Sequence, residues 1–455
     1  MIVSMKRKPK PTQANASRAL LSTTITGQSH DGRGITTTVD GKTTFVSGAL
    51  PGEKVTYKLL KTHTRYNEGE VVEIIEPSSE RLIPACEHFG VCGGCSLQHM
   101  SIAAQIELKQ STLLEQLKHF GQVEPETVLA PISAGSLAYR RKARLGVRYV
   151  YKKEKMLIGF REKADKVLAD LNSCKILSGS VGDSFPELAK LIRSLKQYEQ
   201  IPQIEIAAGD TVTALVFRHL EELPQDDIEK LKSFGKDNHY DIYLQPNLPA
   251  AVHKIWPPDS AARLSYALPD YQLEMEFHPL DFTQVNGEIN PLMIKQALAL
   301  LDPQSTDTVL DLFCGLGNFT LPIARFANKV IGIEGSEEMV TRAQINAEKN
   351  ALTNTEFYAA NLDVIPAVKP AWMKMKFDKI LLDPPRTGAK EILAIFPKLS
   401  AKRIVYVSCN PATLARDAGE LVHQQGYKLK TVGVINMFPH TSHIEAIAVF
   451  DKQRL

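Results

Sequence analysis

The sequence predicts a multidomain chain of 455 residues: a small N-terminal β-barrel, a central α+β domain with a cysteine cluster, and a C-terminal α/β domain on a doubly wound parallel sheet. Three observations predict it. Residues 20–75 consist of short Thr-, Val- and Ile-rich runs broken by glycine turns. Cys86, Cys92 and Cys95 fall close together after them. From about residue 280, apolar strand-like runs alternate with helical spacing. The expected division is a basic tail at 1–16, the barrel at 17–77, the central domain at 78–275 and the C-terminal domain at 276–455.

Composition restricts the function classes. Hydrophobic content of 44% and charged content of 23% suit a soluble globular protein. No apolar run is long enough to span a bilayer, and Met1 to Pro11 is basic without the apolar core of a secretory leader. A cytoplasmic location is expected. Net charge is +3, yet residues 1–66 hold eleven Lys/Arg against three Asp/Glu. A basic module on a mildly acidic body points to a polyanion partner.

In chain order, residues 1–16 are polar and basic with Pro9 and Pro11, and are expected to be disordered. Gly27, Asp31-Gly32, Asp40-Gly41 and Pro51-Gly52 then punctuate an antiparallel barrel with little room for a helix. Ile102, Ile106, Leu113, Leu114 and Leu117 share a helical face over 102–120, with Gly121 as the expected C-cap. Residues 137–250 mix strand-like stretches (143–151, 204–216) with helical ones (185–195, 226–233). The last block reads as a helix at 291–301, strands at 308–314 and 329–334, a helix at 337–350, then strands at 355–359, 379–383 and 403–409.

Ligands on such sheets lie beyond the carboxyl ends of the strands. The first strand runs into Asp311-Leu-Phe-Cys-Gly315-Leu-Gly317-Asn318, where two glycines let backbone approach a ligand. The second ends at Glu334, a carboxylate placed to accept from both ribose hydroxyls. A nucleoside-bearing ligand follows. The missing third glycine and the absence of a phosphate cradle favour a methyl donor over a dinucleotide. Cys314 in this turn reads as packing. Two further strand ends carry Asp383-Pro-Pro-Arg386 and Ser408-Cys409-Asn-Pro411, and Phe438 to Glu445 lies near the C-terminus. His440 and His443 read as loop-shaping residues rather than titrating ones.

Cys86, Cys92 and Cys95, with Cys174 downstream, read as a metal site rather than as disulfides. Spacing leaves tetrahedral zinc and an iron–sulfur cluster both open.

These motifs together resemble the RNA uracil-C5 methyltransferases over nearly the whole chain. Within that family the chain is most similar to the branch that acts on 23S ribosomal RNA. The barrel looks like a TRAM domain, which tRNA-modifying relatives lack along with the cluster; a shorter ribosomal branch has the cluster without the barrel. The resemblance implies a Rossmann-like C-terminal domain binding S-adenosylmethionine through Gln284, Phe313, Asn318, Glu334, Asn361 and Asp383. It also implies a [4Fe–4S] cluster on Cys86, Cys92, Cys95 and Cys174, with no iron left open and hence a structural or RNA-docking role. Asp383 is placed beside either the donor methionine or the target base.

The implied chemistry needs a thiolate to add to C6 of uracil, which makes C5 nucleophilic, and a base to remove the C5 proton afterwards. Cys409 matches the nucleophile and Glu445 the base. The thiol is expected to have a lowered pKa. The target base has to be splayed into the pocket, and Tyr139-Arg140-Arg141-Lys142-Ala-Arg144 offers cations beside an aromatic ring. The expected partner is 23S ribosomal RNA, with no membrane or protein partner and a monomeric state. A tRNA or a second ribosomal uracil is the alternative substrate. An adenine methyltransferase is a poorer match, because Arg386 stands where such enzymes place an aromatic residue; a non-catalytic RNA-binding assembly factor has no use for an intact nucleophile and base.

Overall fold

A computed structural model describes residues 20–163, 165–246, 251–366 and 368–453. The basic tail expected at 1–16 lies outside them. The described chain forms two compact units, one of residues up to Ile83 with His99–Ser101, the other of Pro84–Gln98 and Ile102 onward.

The first unit is a six-stranded sheet with strands β1 (Leu21–Thr24), β2 (Gly27–Gln28), β3 (Gly34–Thr37), β4 (Thr43–Ser47), β5 (Lys54–Thr62) and β6 (Tyr66–Glu76) in the order β1-β5-β6-β4-β3-β2. β1 pairs with β5 and β2 with β3, while Ile25 N–H donates to Glu53 O and Thr26 N–H to Ile35 O. One run of chain thus closes both edges into a barrel. The expectation of a fully antiparallel barrel is corrected at one pair, because β4 and β6 run parallel. Ile25, Val46, Ala49, Val55 and Tyr57 fill the interior. Gly69 sits where a Cβ would stand 2.8 Å from the Tyr57 ring, so the wall can close only on a glycine there. Arg81 grips the buried Glu53 carboxylate with two hydrogen bonds of 2.5 and 2.8 Å.

In the second unit, α1 (Ile102–Gln116) continues into a wide turn at Leu117–Gly121. Gly121 is not the cap. Gln122 takes the left-handed conformation instead, and Gly121 lets a later helix approach so closely that a Cβ would lie 2.4 Å from Ala415 O. β7 (Thr127–Val128), β8 (Lys142–Val150), β9 (Lys155–Gly159), α2 (Phe185–Ser194), β10 (Gln203–Ala208), β11 (Thr213–Arg218), α3 (Gln225–Asn238), β12 (Tyr240–Gln245) and β13 (His253–Trp256) follow. β8 to β13 form one mixed sheet in the order β13-β12-β11-β10-β8-β9. The strand read at 204–216 is two strands joined by a turn at Gly209. A hairpin, β14 (Leu264–Leu268) and β15 (Leu273–Phe277), leads to α4 (Ile289–Leu301).

The rest is the doubly wound sheet. Its elements are β16 (Thr308–Leu312), α5 (Thr320–Ala324), β17 (Lys329–Glu334), α6 (Glu337–Lys349), β18 (Thr355–Ala359), β19 (Lys379–Leu382), α7 (Lys390–Leu393), α8 (Phe396–Leu399), β20 (Arg403–Ser408), α9 (Pro411–His423), β21 (Tyr427–Ile435) and β22 (Glu445–Lys452). The strand order is β18-β17-β16-β19-β20-β22-β21-β7. β16 to β20 are parallel, as their continuous apolar runs predict. β22 enters antiparallel between β20 and β21. That reversal brings the chain's last strand to the face where β16 to β20 end. Among the described residues no helix is long and apolar enough to cross a membrane.

Candidate active site

Each sequence-predicted donor residue lies at or near the site face. β16 ends at Leu312, and Phe313 turns the chain with φ of 64°, a left-handed conformation that side chains rarely adopt. Gly315 and Gly317 follow with φ of 55° and 93°. Glu334, at the end of β17, accepts from Gly315 N–H and Ser336 N–H at 3.1 Å each. Asn361 follows β18, next to Ala360, whose N–H donates to Glu334 O. Asp383 follows β19 and donates its N–H to Leu312 O at 3.3 Å. Gln284 reaches back from the loop before α4, with Nε2 3.4 Å from an Asp383 oxygen. Gln284, Phe313, Gly315, Asn318 and Asp383 line one cavity.

The electrostatics of that cavity are unusual for a protein surface. Asp311 is wholly buried; Thr320 donates to one oxygen at 2.5 Å and no hydrogen bond reaches the other. Burial pushes its pKa up to about 7. Burial does the same to Asp383, also to about 7. Of the two, Asp383 lines the cavity, and positive charge beside it would favour its ionised form.

Cys409 and Glu445 are brought together by strand register. β20 and β22 pair antiparallel with Ser408 opposite Ala446, so the next position sets Cys409 opposite Glu445. Glu445 is 4% exposed and its pKa lies well above the usual carboxylate range, through burial and then the neighbouring Asp383 charge, against a downward pull from Arg386. The expected low pKa of the Cys409 thiol is corrected. Burial, then Glu445 and Asp383, push it up to about 11, with Arg386 opposing. A lowered value needs a nearby cation or helix N-terminus to outweigh the carboxylates, and in the free protein it does not.

The two motif loops are tied to each other. Asn410 caps α9, accepting from Ala412 N–H at 3.1 Å, and its amide donates to Arg386 O at 2.9 Å. Asp417, 1% exposed, accepts from Ala389 N–H and Tyr406 O–H at 2.7 Å each. Gly388 has φ of 80° and meets α9 where a Cβ would clash with Arg416 and Asp417. Loop 383–389 is therefore held by α9 from below.

The four clustered cysteines also meet. Cys86, Cys92, Cys95 and Cys174 line one cavity with His88, Phe160 and Arg140. Burial raises the pKa of Cys92, Cys95 (up to about 12) and Cys174, and nearby thiols raise each further. Among the described residues, however, no three His, Cys, Asp or Glu side chains converge as ligands of a single ion.

The segment read as an RNA-capturing aromatic and four cations is mostly committed elsewhere. Tyr139 is 4% exposed and donates to Pro439 O at 3.0 Å, so its ring cannot stack on a base. Arg141 pairs with Asp210 at 2.6 Å, Arg144 with Glu205 at 2.9 Å, and Lys142 donates to Asp281 O.

The sequence profile of the tRNA (uracil-5-)-methyltransferase family matches residues 101–453, and that of the TRAM domain matches 21–72. The chain belongs to the tRNA (uracil-5-)-methyltransferase family. The methyltransferase is 51% identical to a protein of Hahella chejuensis named 23S rRNA (uracil(1939)-C(5))-methyltransferase RlmD, over 99% of this chain and 100% of that one. It is also 51% identical to a protein of the same name from Francisella tularensis subsp. novicida, over 94% and 96%. Its fold is similar to that of the Pyrococcus abyssi tRNA (uracil-54, C5)-methyltransferase solved with S-adenosyl-L-homocysteine, with a TM-score of 0.71 at 22% identity over 94% and 100% of the two chains.

Sequence reasoning missed three residues of this methyltransferase site. Tyr266 lines the same cavity from the β14–β15 hairpin, and its O–H donates to Asn318 Oδ1 at 2.8 Å. Asn290 exchanges hydrogen bonds of 2.9 and 3.1 Å with Asn318. Asp417 supports the Arg386 loop. Tyr266 carried no signal, being one aromatic residue in an unremarked strand. Asn290 stands in Asn286-Gly-Glu-Ile-Asn290-Pro, a polar helix start that could have been singled out.

Proposed function

We propose that this protein methylates C5 of one uracil in 23S ribosomal RNA, the uracil-1939 type, with S-adenosylmethionine as donor and Cys409 as covalent nucleophile. The observation that carries the reading is the register that sets Cys409 opposite Glu445 beside a cavity ending at Asp383. The names of relatives 51% identical over nearly the full chain supply the substrate.

When bound, S-adenosylmethionine supplies an electrophilic methyl group on a positively charged sulfur. Glu334 suits the ribose hydroxyls, since a carboxylate already held by Gly315 and Ser336 N–H groups is oriented as an acceptor. Phe313, Asn318 and Asn361 flank it, and Gln284 and Asp383 bound the other end. Positive charge there relieves the carboxylate repulsion that keeps Cys409 protonated, so the thiolate forms more readily in the loaded site.

The Cys409 thiolate adds to C6 of the uracil; an S–C6 bond forms, and the C5=C6 electron pair moves toward C5 and O4. C5 then takes the methyl group as the methyl–sulfur bond breaks, its electron pair staying on the donor's sulfur, which is left as a neutral thioether. Glu445, whose buried carboxylate holds protons tightly, removes the C5 proton. The electron pair of that C–H bond restores C5=C6 as the S–C6 bond breaks, and the thiolate returns unchanged. Arg386 opposes the rise in pKa of both Cys409 and Glu445, which favours the ionised base that this step requires.

Cys86, Cys92, Cys95 and Cys174 are assigned to a [4Fe–4S] cluster. Four thiols lining one cavity are the observation that supports this reading. The cluster would fix this part of the chain. We assign 23S ribosomal RNA as the macromolecular partner and expect a monomer.

The test is incubation with methyl-labelled donor and protein-free 23S RNA, beside tRNA and a Cys409→Ala variant. Label at C5 of one 23S uracil, absent in the variant, is expected. Label confined to tRNA overturns the substrate, and undiminished activity of Cys409→Ala overturns the mechanism.

A further inference from the structure

Lys109 is a buried cation that the reaction above does not use. It lies in α1 and is 1% exposed. Its ammonium donates to Asn436 Oδ1 at 2.8 Å and to Phe438 O at 2.9 Å. Burial alone moves its pKa, down to about 7. A leucine or methionine would fill the same space without the cost of dehydrating a charge, so its two hydrogen bonds need a use.

Both acceptors belong to the strap 436–444, which joins the end of β21 to Glu445 at the start of β22. Gln105, one turn before Lys109 on the same face of α1, accepts from His440 N–H at 2.8 Å and donates to Leu97 O at 3.0 Å. His440 has φ of 65°, a strained conformation for a residue with a side chain, which persists only where the surroundings hold it. They do. Ser96 and Leu97 N–H groups both donate to His440 O, at 2.9 and 3.0 Å, and Ser442 N–H donates to Ser96 Oγ at 3.2 Å. Tyr139 O–H holds Pro439 O. The strap is thus pinned at its kink by α1 and by the residues directly after Cys95.

We propose that Lys109 and Gln105 are positioning residues for Glu445: they fix the strap so that its carboxylate stands opposite Cys409 when the C5 proton is removed. The inference rests on the covalent uracil reading above. It assigns α1, outside the sheet that carries the site, to one step of the reaction. If the strap loosens, adduct formation and methylation proceed, because Cys409 and the donor cavity sit on other elements. Removal of the C5 proton then slows, and protein stays bonded to RNA.

The experiment measures two rates on purified full-length protein with 23S RNA: methyl incorporation into adduct plus product, and decay of the denaturant-resistant protein–RNA adduct. Lys109→Met keeps the apolar stem and removes the donors. Its methyl incorporation is expected within about threefold of wild type, while adduct decay slows about 10- to 100-fold. Asn436→Ala removes one acceptor and leaves Lys109 bonded to Phe438 O. It is expected to slow the same decay about 3- to 10-fold, and it decides the matter by itself if Lys109→Met does not fold. Proportional loss of both rates, as a purely structural role would give, overturns the proposal, as does unchanged decay. A wild-type protein that methylates without ever forming an adduct overturns the covalent reading instead.

Discussion

Cys409 and the cysteines of the central cavity are the same side chain, partly buried in both places, and burial raises the thiol pKa in both. The difference lies in what faces them. Cys409 stands singly at a strand end, facing Glu445 and Asp383, with Arg386 as the local cation. Cys92, Cys95 and Cys174 are faced chiefly by neighbouring thiols, Cys86 among them, with Arg140 beside Cys174. A thiol among carboxylates is held protonated until positive charge arrives, which suits a nucleophile that waits for a sulfonium donor. Thiols that repel one another are relieved together when they share a metal. Burial says that a cysteine is inside; the neighbouring charges say what it is for.

The comparison breaks most easily at the nucleophile. Cys409→Ala is expected to lose roughly 10³-fold or more of methyl incorporation into 23S RNA, while bound iron stays at the wild-type level. Iron loss in that variant would join the two sites and sink the contrast. Glu445→Gln should turn over about 10²- to 10⁴-fold more slowly, with the denaturant-resistant RNA adduct accumulating on gels. Turnover near wild type would remove Glu445 from the role of base.

The pH behaviour of the thiol sharpens the contrast further. The free Cys409 thiol is pushed up to about 11, so alkylation by iodoacetamide in the absence of donor should keep rising through pH 10. Asp383→Asn removes one of the charges that raise it. Its thiol should therefore ionise at lower pH, speeding alkylation at pH 9 by roughly tenfold, as a shift of one unit would give. An unchanged profile would remove Asp383 from the charges that set the thiol. On the other side, Cys174→Ser should release iron and lower Tm by several degrees, with Cys409 alkylation within about twofold of wild type. Wild-type protein should carry about four irons per chain, and one zinc instead would overturn the cluster. The smallest effect is expected in the barrel. Arg65→Ala, an exposed cation between β5 and β6, should weaken RNA binding uniformly and lower the salt slope by about one. No change in slope would remove that loop from the phosphate contacts.

Much of this was legible before the structure. The five parallel strands of the C-terminal sheet read correctly to within a residue or two, because buried parallel strands are continuous apolar runs ended by turn residues, whereas β7, β21 and β22 of the same sheet were not read. The donor loop, Glu334, Asp383 and Cys409 were found because each directly follows or ends such a run. The parallel pairing of β4 with β6 was not legible, since alternation within a strand carries no information about its partner's direction. Gly121 was misread as a cap for a related reason: a glycine that admits a neighbouring helix looks, in sequence, like one that ends its own. The basic stretch at 140–144 read as free charge, and only tertiary contacts revealed Asp210 and Glu205 as its partners.

By itself the sequence determined the order of the five parallel strands, the residues at their ends and the chemistry those residues can perform. These are local properties, written in periods of two and of about three and a half residues and in turn chemistry. Tertiary structure alone decided that Glu445 faces Cys409, because an antiparallel register between β20 and β22 depends on the whole path of the intervening chain. It decided the ionisation of the site as well. Burial and neighbouring charge set a pKa, and neither is a property of the residue that carries it.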